Sequence, residues 1–320
     1  MNIPECPMKA EDYFALFHID RPMGASNFSR VYLATEANTG RQVALKLILK
    51  INQDKITIDR NVFKDPTLDS PHLVKIYDIF EDIHMIMISM EYIQSGDLLD
   101  WICSHGTISE SGVAMIVHHL LLGLKALHDK KIVHHNIKPE NILITETEIG
   151  ATIKLTDYCL AKTIDEDHQL SELSLTEVCS SPEILRRQTY GPEVDMWSIG
   201  VITYILLCGR RPFEEDEKYP LFEKVSNGNY TFDLPEWEHI SNEGKTFVKQ
   251  LLEVNPKQRL TVDQALSHKW LSMDLSDDAI ESSLKNLQIT TMGRKLKKVM
   301  GAAITAASFR QFTKYTQMPE

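Results

Sequence analysis

IVHHNIKPENILI, residues 132–144, sets His134, His135, Asn136, Lys138 and Asn141 close together in one short polar stretch. Before it, SGVAMIVHHLLLGLKALHDK (111–130) repeats its apolar residues at helical spacing and is long enough for a buried helix. After it, LTDYCLAK (155–162) carries Asp157-Tyr158-Cys159, and Ser181-Pro182-Glu183 follows. DMWSIGVITYILLCG (195–209) is apolar nearly all round, which predicts a helix central to its lobe. Farther on, NPKQRLTVDQALSHKWL (255–271) supplies Arg259.

Toward the N-terminus the period changes. FHIDRPMG (17–24), RVYLATEA (30–37), QVALKLIL (42–49), LVKIYDIF (73–80) and HMIMISMEY (84–92) are rich in β-branched and aromatic residues and read as five strands. Asn38-Thr39-Gly40 reads as a hairpin turn. IDRNVFKD (58–65) reads as a short helix stopped by Pro66, and LLDWICSHG (98–106) as another helix. The pattern predicts an α+β protein with a small β-rich N-lobe holding one helix (14–93) and a larger, mainly helical C-lobe (94–272). Residues 93–96 form the hinge. A tail, 273–320, runs from acidic to basic and then into a small-residue helix.

With 43% hydrophobic and 25% charged residues in 320, the chain can build a sizeable core. A net charge of −11 argues against non-specific binding to nucleic acid or to an anionic membrane. The five cysteines are scattered and never spaced C-x-x-C, which fits a reducing compartment and neither a disulfide framework nor a zinc site. The N-terminal residues show no apolar signal segment, and the longest apolar run, 199–207, is far short of a membrane span. The expectation is a cytoplasmic protein.

Taken in order, these motifs resemble the protein kinase superfamily, over about 14–271 and in particular its calmodulin-dependent serine/threonine group. His134, Lys138 and Asn141 match the catalytic loop H-R-D-x-K-x-x-N. Asp157-Tyr158-Cys159 stands for D-F-G, Ser181-Pro182-Glu183 for A-P-E, and Val43-Ala44-Leu45-Lys46 for V-A-I-K. MGASNFSRV (23–31) resembles the glycine-rich loop. The resemblance implies a bilobal kinase fold and an ATP–Mg²⁺ site. Lys46 would meet the α- and β-phosphates, and Asn141 and Asp157, both oxygen donors, would hold Mg²⁺. Met23, Gly24, Val31, Ala44, Met90, Ile93 and Leu143 would enclose the nucleotide, with backbone groups near Glu91 and Ile93 on the adenine edge and Asp97 at the ribose. Lys138 would act beside the residue at position 136. Arg259 would pair with Glu183.

Several departures work against turnover. Asn136 stands where the family has its catalytic aspartate; an amide cannot accept a proton, although its carbonyl can still orient a hydroxyl. A positioned general base is typically worth ~10²–10⁴-fold. The helix that should offer Lys46 a glutamate has Asn61, or Asp59 if slightly offset. Ser26 and Ser29 replace two loop glycines, which stiffens the phosphate cradle, and Cys159 replaces the glycine after the metal-site aspartate. His135 replaces arginine, so phosphate on the loop carrying Ser171, Ser174 and Thr176 finds no guanidinium there.

The expected function is that of a pseudokinase that binds ATP–Mg²⁺ and acts as a regulatory or scaffolding module. A slow serine/threonine kinase and a nucleotide-free interaction domain are the alternatives. Glu140 and Asp97 suggest an acidic groove for a basic peptide, and a partner kinase is a further candidate. MGRKLKKVMGAAITAASFRQF (292–312) joins Arg294, Lys295, Lys297 and Lys298 to an apolar stripe through Leu296, Met300, Ala303 and Phe309, or alternatively Met300, Ile304 and Phe309. Such a basic amphipathic helix suits a groove like calmodulin's. A helix packed on the large lobe and a membrane-surface helix are the other readings. The chain has no EF-hand loop, so a calcium sensor would come from outside.

Overall fold

The computed structural model describes residues 13, 15–25, 29–50, 68–81, 85–105, 108–147, 150–158, 162–163, 179–214, 218–281 and 285–287. The helix expected at 58–65, Ser26, Asp59, Asn61, Cys159, the loop serines and Thr176, and the tail helix at 292–312 lie outside them. The described residues divide into two compact units, those up to 50 with 75–93 forming one, and 68–74 with 94–287 the other.

The first unit is built on five antiparallel strands: β1 (Phe17–Ala25), β2 (Ser29–Glu36), β3 (Gln42–Leu49), β4 (Ile76–Glu81) and β5 (Met85–Glu91), in the order β1-β2-β3-β5-β4. The alternation of side chains along a strand divides the sheet into two faces. Val43, Leu45 and Leu47 of β3 point to one face, where they pack with Ala34, Met87, Tyr13 and Phe17. Ala44 and Lys46 therefore point to the other. Pro22, which has no N–H for the ladder, falls at a register shift between Pro22 and Gly24, the position where a strand tolerates proline.

Leu73 and Val74 do not join β4 as their apolar character predicts; the strand begins at Ile76. Leu73 instead bridges Leu155, and the Val74 amide donates to the Leu155 carbonyl at 2.8 Å. These residues belong to the second unit, whose ladder takes up their hydrogen-bonding groups.

The second unit holds α1 (Leu98–His105), α2 (Glu110–His128), and the short strands β6 (Ile132–Val133), β7 (Ile142–Thr147), β8 (Gly150–Leu155) and β9 (Lys162–Thr163). α3 (Pro182–Leu185), α4 (Glu193–Cys208), α5 (Lys218–Asn227), α6 (Asn242–Leu251) and α7 (Val262–Leu266) follow. β6 pairs with β9 and β7 with β8. α2 begins at Ser109, whose hydroxyl accepts the Gly112 amide, so an orphan donor of the first turn is satisfied. Its apolar residues Val113, Val117, Leu120, Leu124 and Leu127 enter the core; the helix is long and apolar enough to cross a membrane by composition, but half of its apolar window is buried inside the protein. The backbone at His72 comes so close that a Cβ on Gly123 would lie 2.7 Å from the His72 carbonyl. Only glycine admits that approach.

α4 is the centre of the unit, with every side chain from Val194 to Cys208 buried, as its unbroken apolar run predicts. Glu110 fastens the start of α2 to the far side of the core. Its carboxylate accepts the Ser241 amide (3.0 Å), the Ser241 hydroxyl (2.6 Å) and the Trp270 indole (2.8 Å). A buried carboxylate is tolerated there because each oxygen is hydrogen-bonded.

Candidate active site

In the first unit, strand register brings most of the expected nucleotide residues onto one face. Gly24 pairs with Val31, and Val31 with Lys46. Ala44 pairs with Met90. Directly opposed residues of adjacent strands share a face, so Gly24, Val31, Lys46, Ala44 and Met90 stand together across β1, β2, β3 and β5. Met23 is exposed, and a Cβ on Gly24 would meet nothing within 4 Å, so the backbone there is open to approach. Lys46 is 5% exposed. Glu91 is held at the end of β5: its amide donates to the Lys75 carbonyl (2.8 Å) and its Oε2 accepts the Lys75 amide (3.1 Å). Ile93, just beyond, is buried.

In the second unit the stretch 132–144 becomes β6, a loop, a 3₁₀ turn over Pro139–Asn141, and β7. The loop is hung from one buried side chain on α4. Asp195 is 0% exposed; its Oδ2 accepts the His134 amide at 2.9 Å and its Oδ1 the His135 amide at 2.7 Å. His128 Nε2, from the last turn of α2, donates to Oδ2 at 2.9 Å. Burial works to raise the Asp195 pKa, but the hydrogen bond and charge of His128 and the loop amide outweigh it, and the carboxyl lies below its ordinary value. Asp195 therefore stays ionised.

The remaining contacts run outward from that carboxylate. Burial lowers the pKa of His134, which is neutral. Its Nε2 faces the Thr156 carbonyl at 3.0 Å and so carries the hydrogen, while Nδ1 accepts the Asn136 amide at 3.3 Å. Asn141 Nδ2 donates to the Asn136 carbonyl (2.8 Å), and the Thr156 amide donates to the Asn141 carbonyl (3.0 Å). With its nitrogen turned to Asn136, Asn141 presents Oδ1 as the atom suited to a hard cation. Asn136 is 9% exposed.

Two residues of the site adopt backbone angles that side chains rarely take, His135 at φ 47° and Asp157 at φ 70°. Such angles persist where the surroundings over-determine them, as the Asp195 and Thr156 contacts do here. Lys138 opens the 3₁₀ turn, and Leu143 on β7 bridges Asp97. Asp97 is buried, and its Oδ1 accepts the Asp100 amide at 3.0 Å. The residue expected at the ribose thus also supports the start of α1.

Two features had no signal in the sequence reading. His128, four residues before the motif, anchors the loop through Asp195, which lies far along the chain. A small pocket is lined by His135, Asn136, Ile137, Cys179, Ser180, Ile184, Val194 and Ser198. Burial, then the charge of Glu140, pushes the Cys179 thiol up to about 12, so it is no nucleophile at neutral pH. The expected pairing of Arg259 with Glu183 is present and bidentate, at 2.7 and 3.1 Å, and Arg259 also donates to the Glu193 and Glu253 carbonyls. Among the described residues no group of three or more His, Cys, Asp or Glu side chains is arranged to hold a metal.

The histidines make stability pH-dependent with a definite sign. His134, His72 and His119 all have lowered pKa values, burial being the largest cause in each. His72 stacks on His119 at 4.6 Å, bonds the Ile153 carbonyl, and faces His118 and Lys154; His119 faces His72 and His118. Among the described residues, the groups that act on His72 and His119 through their charge are histidines and Lys154. The unfolded chain binds these protons at higher pH than the folded chain, so stability is full above about pH 6.5 and is lost as pH falls below it. Thermal denaturation between pH 7.5 and 5 is expected to show a falling midpoint, and His119→Leu is expected to make that fall shallower. An equal slope in the variant would contradict the assignment.

Comparison with known proteins agrees with this geometry. The family model described as "Protein kinase domain" matches residues 17–271. Calcium/calmodulin-dependent protein kinase type IV of Rattus norvegicus is 35% identical over 294 residues, covering 91% of this chain and 62% of the relative. The Homo sapiens type IV protein is 34% identical over the same span. Calcium/calmodulin-dependent protein kinase type 1B of Rattus norvegicus is 33% identical over 317 residues, 98% of this chain and 91% of the relative. The chain spans 62% of the length of the type IV relatives it matches. On the match over 17–271, and on the five-stranded unit and helical unit that carry the motifs, the chain belongs to the protein kinase domain family, with homology to the calcium/calmodulin-dependent kinases.

Proposed function

We propose that this chain is a pseudokinase of the calmodulin-dependent group, able to bind ATP with Mg²⁺ and acting through shape and partners rather than phosphoryl transfer. The observation that carries the reading is Asn136. It occupies the catalytic-base position in a loop whose supports, from Asp195 through His134 to Asn141, are all made. The loop has kept its form and lost its proton acceptor.

The residues for a nucleotide fit one. Val31, Ala44 and Met90 offer an apolar surface beside Lys46, and Asn141 and Asp157 offer hard oxygen atoms. ATP with Mg²⁺, when bound, supplies the transferable phosphoryl group and the charge that neutralises it. In this chain Lys46 would orient phosphates, Asn141 and Asp157 would hold the cation, and Lys138 would lie beside the acceptor hydroxyl. At Asn136 a hydroxyl could be oriented but its proton would not be taken. We place the protein in the cytoplasm, a setting that suits its five scattered cysteines, none of them spaced C-x-x-C.

Thermal denaturation with ATP and Mg²⁺ is expected to raise the melting temperature, since ligand at a hundred times its Kd adds about 2.7 kcal/mol. Radiolabelled γ-phosphate is expected to stay off a basic serine peptide in the same preparation. Robust labelling would establish the slow-kinase alternative, and no thermal shift at any concentration would leave a nucleotide-free interaction domain.

The segment 292–312 is the proposed calmodulin-binding element, supported by its basic amphipathic pattern and by relatives whose names mark them as calcium/calmodulin-dependent. Calcium-dependent capture on immobilised calmodulin is expected for the full chain and is expected to vanish in Leu296→Glu/Met300→Glu. Retention by that double variant would rule out these anchors.

A further inference from the structure

The residue after the metal-site aspartate is a tyrosine with a use for its hydroxyl. Tyr158 is 5% exposed, and its O–H donates to the Val74 carbonyl at 2.8 Å. The Val74 amide in turn donates to the Leu155 carbonyl at 2.8 Å, and the Leu155 amide donates to the His72 carbonyl at 2.9 Å. Residues 72–74 are therefore gripped twice by the same stretch of chain, once by the end of β8 and once by the Tyr158 side chain. That segment has little freedom of its own. The His72 ring bonds the Ile153 carbonyl at 3.1 Å, and the His72 carbonyl lies against Gly123 of α2.

On the other flank, Thr156 is fixed by the Asn141 carbonyl and by His134 Nε2. Asp157 thus stands between two immobilised neighbours at φ 70°. An aspartate tolerates the left-handed region better than most residues but does not prefer it, so something must hold it there. A rotation of Asp157 out of that region would swing Tyr158 away and break its bond to Val74. A phenylalanine would fill the same apolar space without the bond. The sequence points the same way: where the family resemblance expects a glycine at 159 the chain has a cysteine, which lowers backbone freedom.

We propose that the Tyr158–Val74 hydrogen bond is a latch that holds Asp157 in its left-handed conformation, with its carboxylate presented to a divalent cation, before any ligand arrives. Tyr158 is then a positioning residue. The latch itself stands on the hydrogen bond, and its consequence for the cation rests on the nucleotide–Mg²⁺ reading above.

The test is Tyr158→Phe in the full chain, read in two ways. Hydrogen exchange of peptides covering 153–158 is expected to quicken about three- to tenfold, the effect of losing one buried hydrogen bond, with α4 peptides unchanged. ATP affinity is expected to weaken about three- to tenfold with Mg²⁺ present and to stay the same in EDTA. Unchanged exchange over 153–158, or a rise spread evenly over the domain, would overturn the latch. Faster local exchange with equal ATP loss in Mg²⁺ and EDTA, or with no loss, would overturn the positioning of Asp157. If neither protein binds ATP, the nucleotide reading fails and the exchange measurement alone decides the latch.

Discussion

A single ionised carboxylate, buried on the most enclosed helix of the second unit, carries the geometry of the candidate site. Asp195 is out of water, where an unpaired charge costs several kcal/mol, and it stays charged because two loop amides and His128 donate to it. Two of those donors are backbone amides of the loop that bears Asn136. The position of the loop is therefore tied to α4, and α4 to the core. His134 passes the same constraint on to Thr156, the residue before Asp157.

This arrangement separates the shape of the site from its chemistry. Asn136 is held by its backbone, through an amide that donates to His134 Nδ1 and a carbonyl that accepts from Asn141. None of these contacts uses its side chain. A change from carboxylate to carboxamide at that position keeps these backbone supports of the loop while removing the proton acceptor. A fold that keeps its form after losing one charge is what a binding or regulatory role would need, and Lys46, Asn141 and Asp157 keep the residue types for a nucleotide and a cation.

Much of this was legible in the sequence because it depends on local periodicity and ordered motifs. QVALKLIL reads as a strand, as found, and the residues that the family resemblance sets at the nucleotide, Ala44 and Lys46, share the face of β3 opposite its core residues. The unbroken apolar run after Asp195 predicts the buried α4. Arg259 meets Glu183 as the family resemblance implies. What was not legible rests on partners distant in the chain. Leu73 and Val74 read as strand residues by composition, but their hydrogen bonds go to Leu155 and Tyr158. His128 looks like an ordinary helix-end residue until Asp195 is placed beside it. Asp97 reads as a site carboxylate, and its contact with the Asp100 amide follows only from where α1 begins.

The central claim is that, among the departures from the family pattern, the missing proton acceptor at Asn136 is the one that most limits transfer. The direct measurement is single-turnover γ-phosphate transfer by the unaltered protein and by Asn136→Asp at saturating ATP–Mg²⁺. The account predicts a gain on the order of 10²-fold or more on restoring the carboxylate. Equal rates in the two proteins, with ATP bound by both, would contradict it.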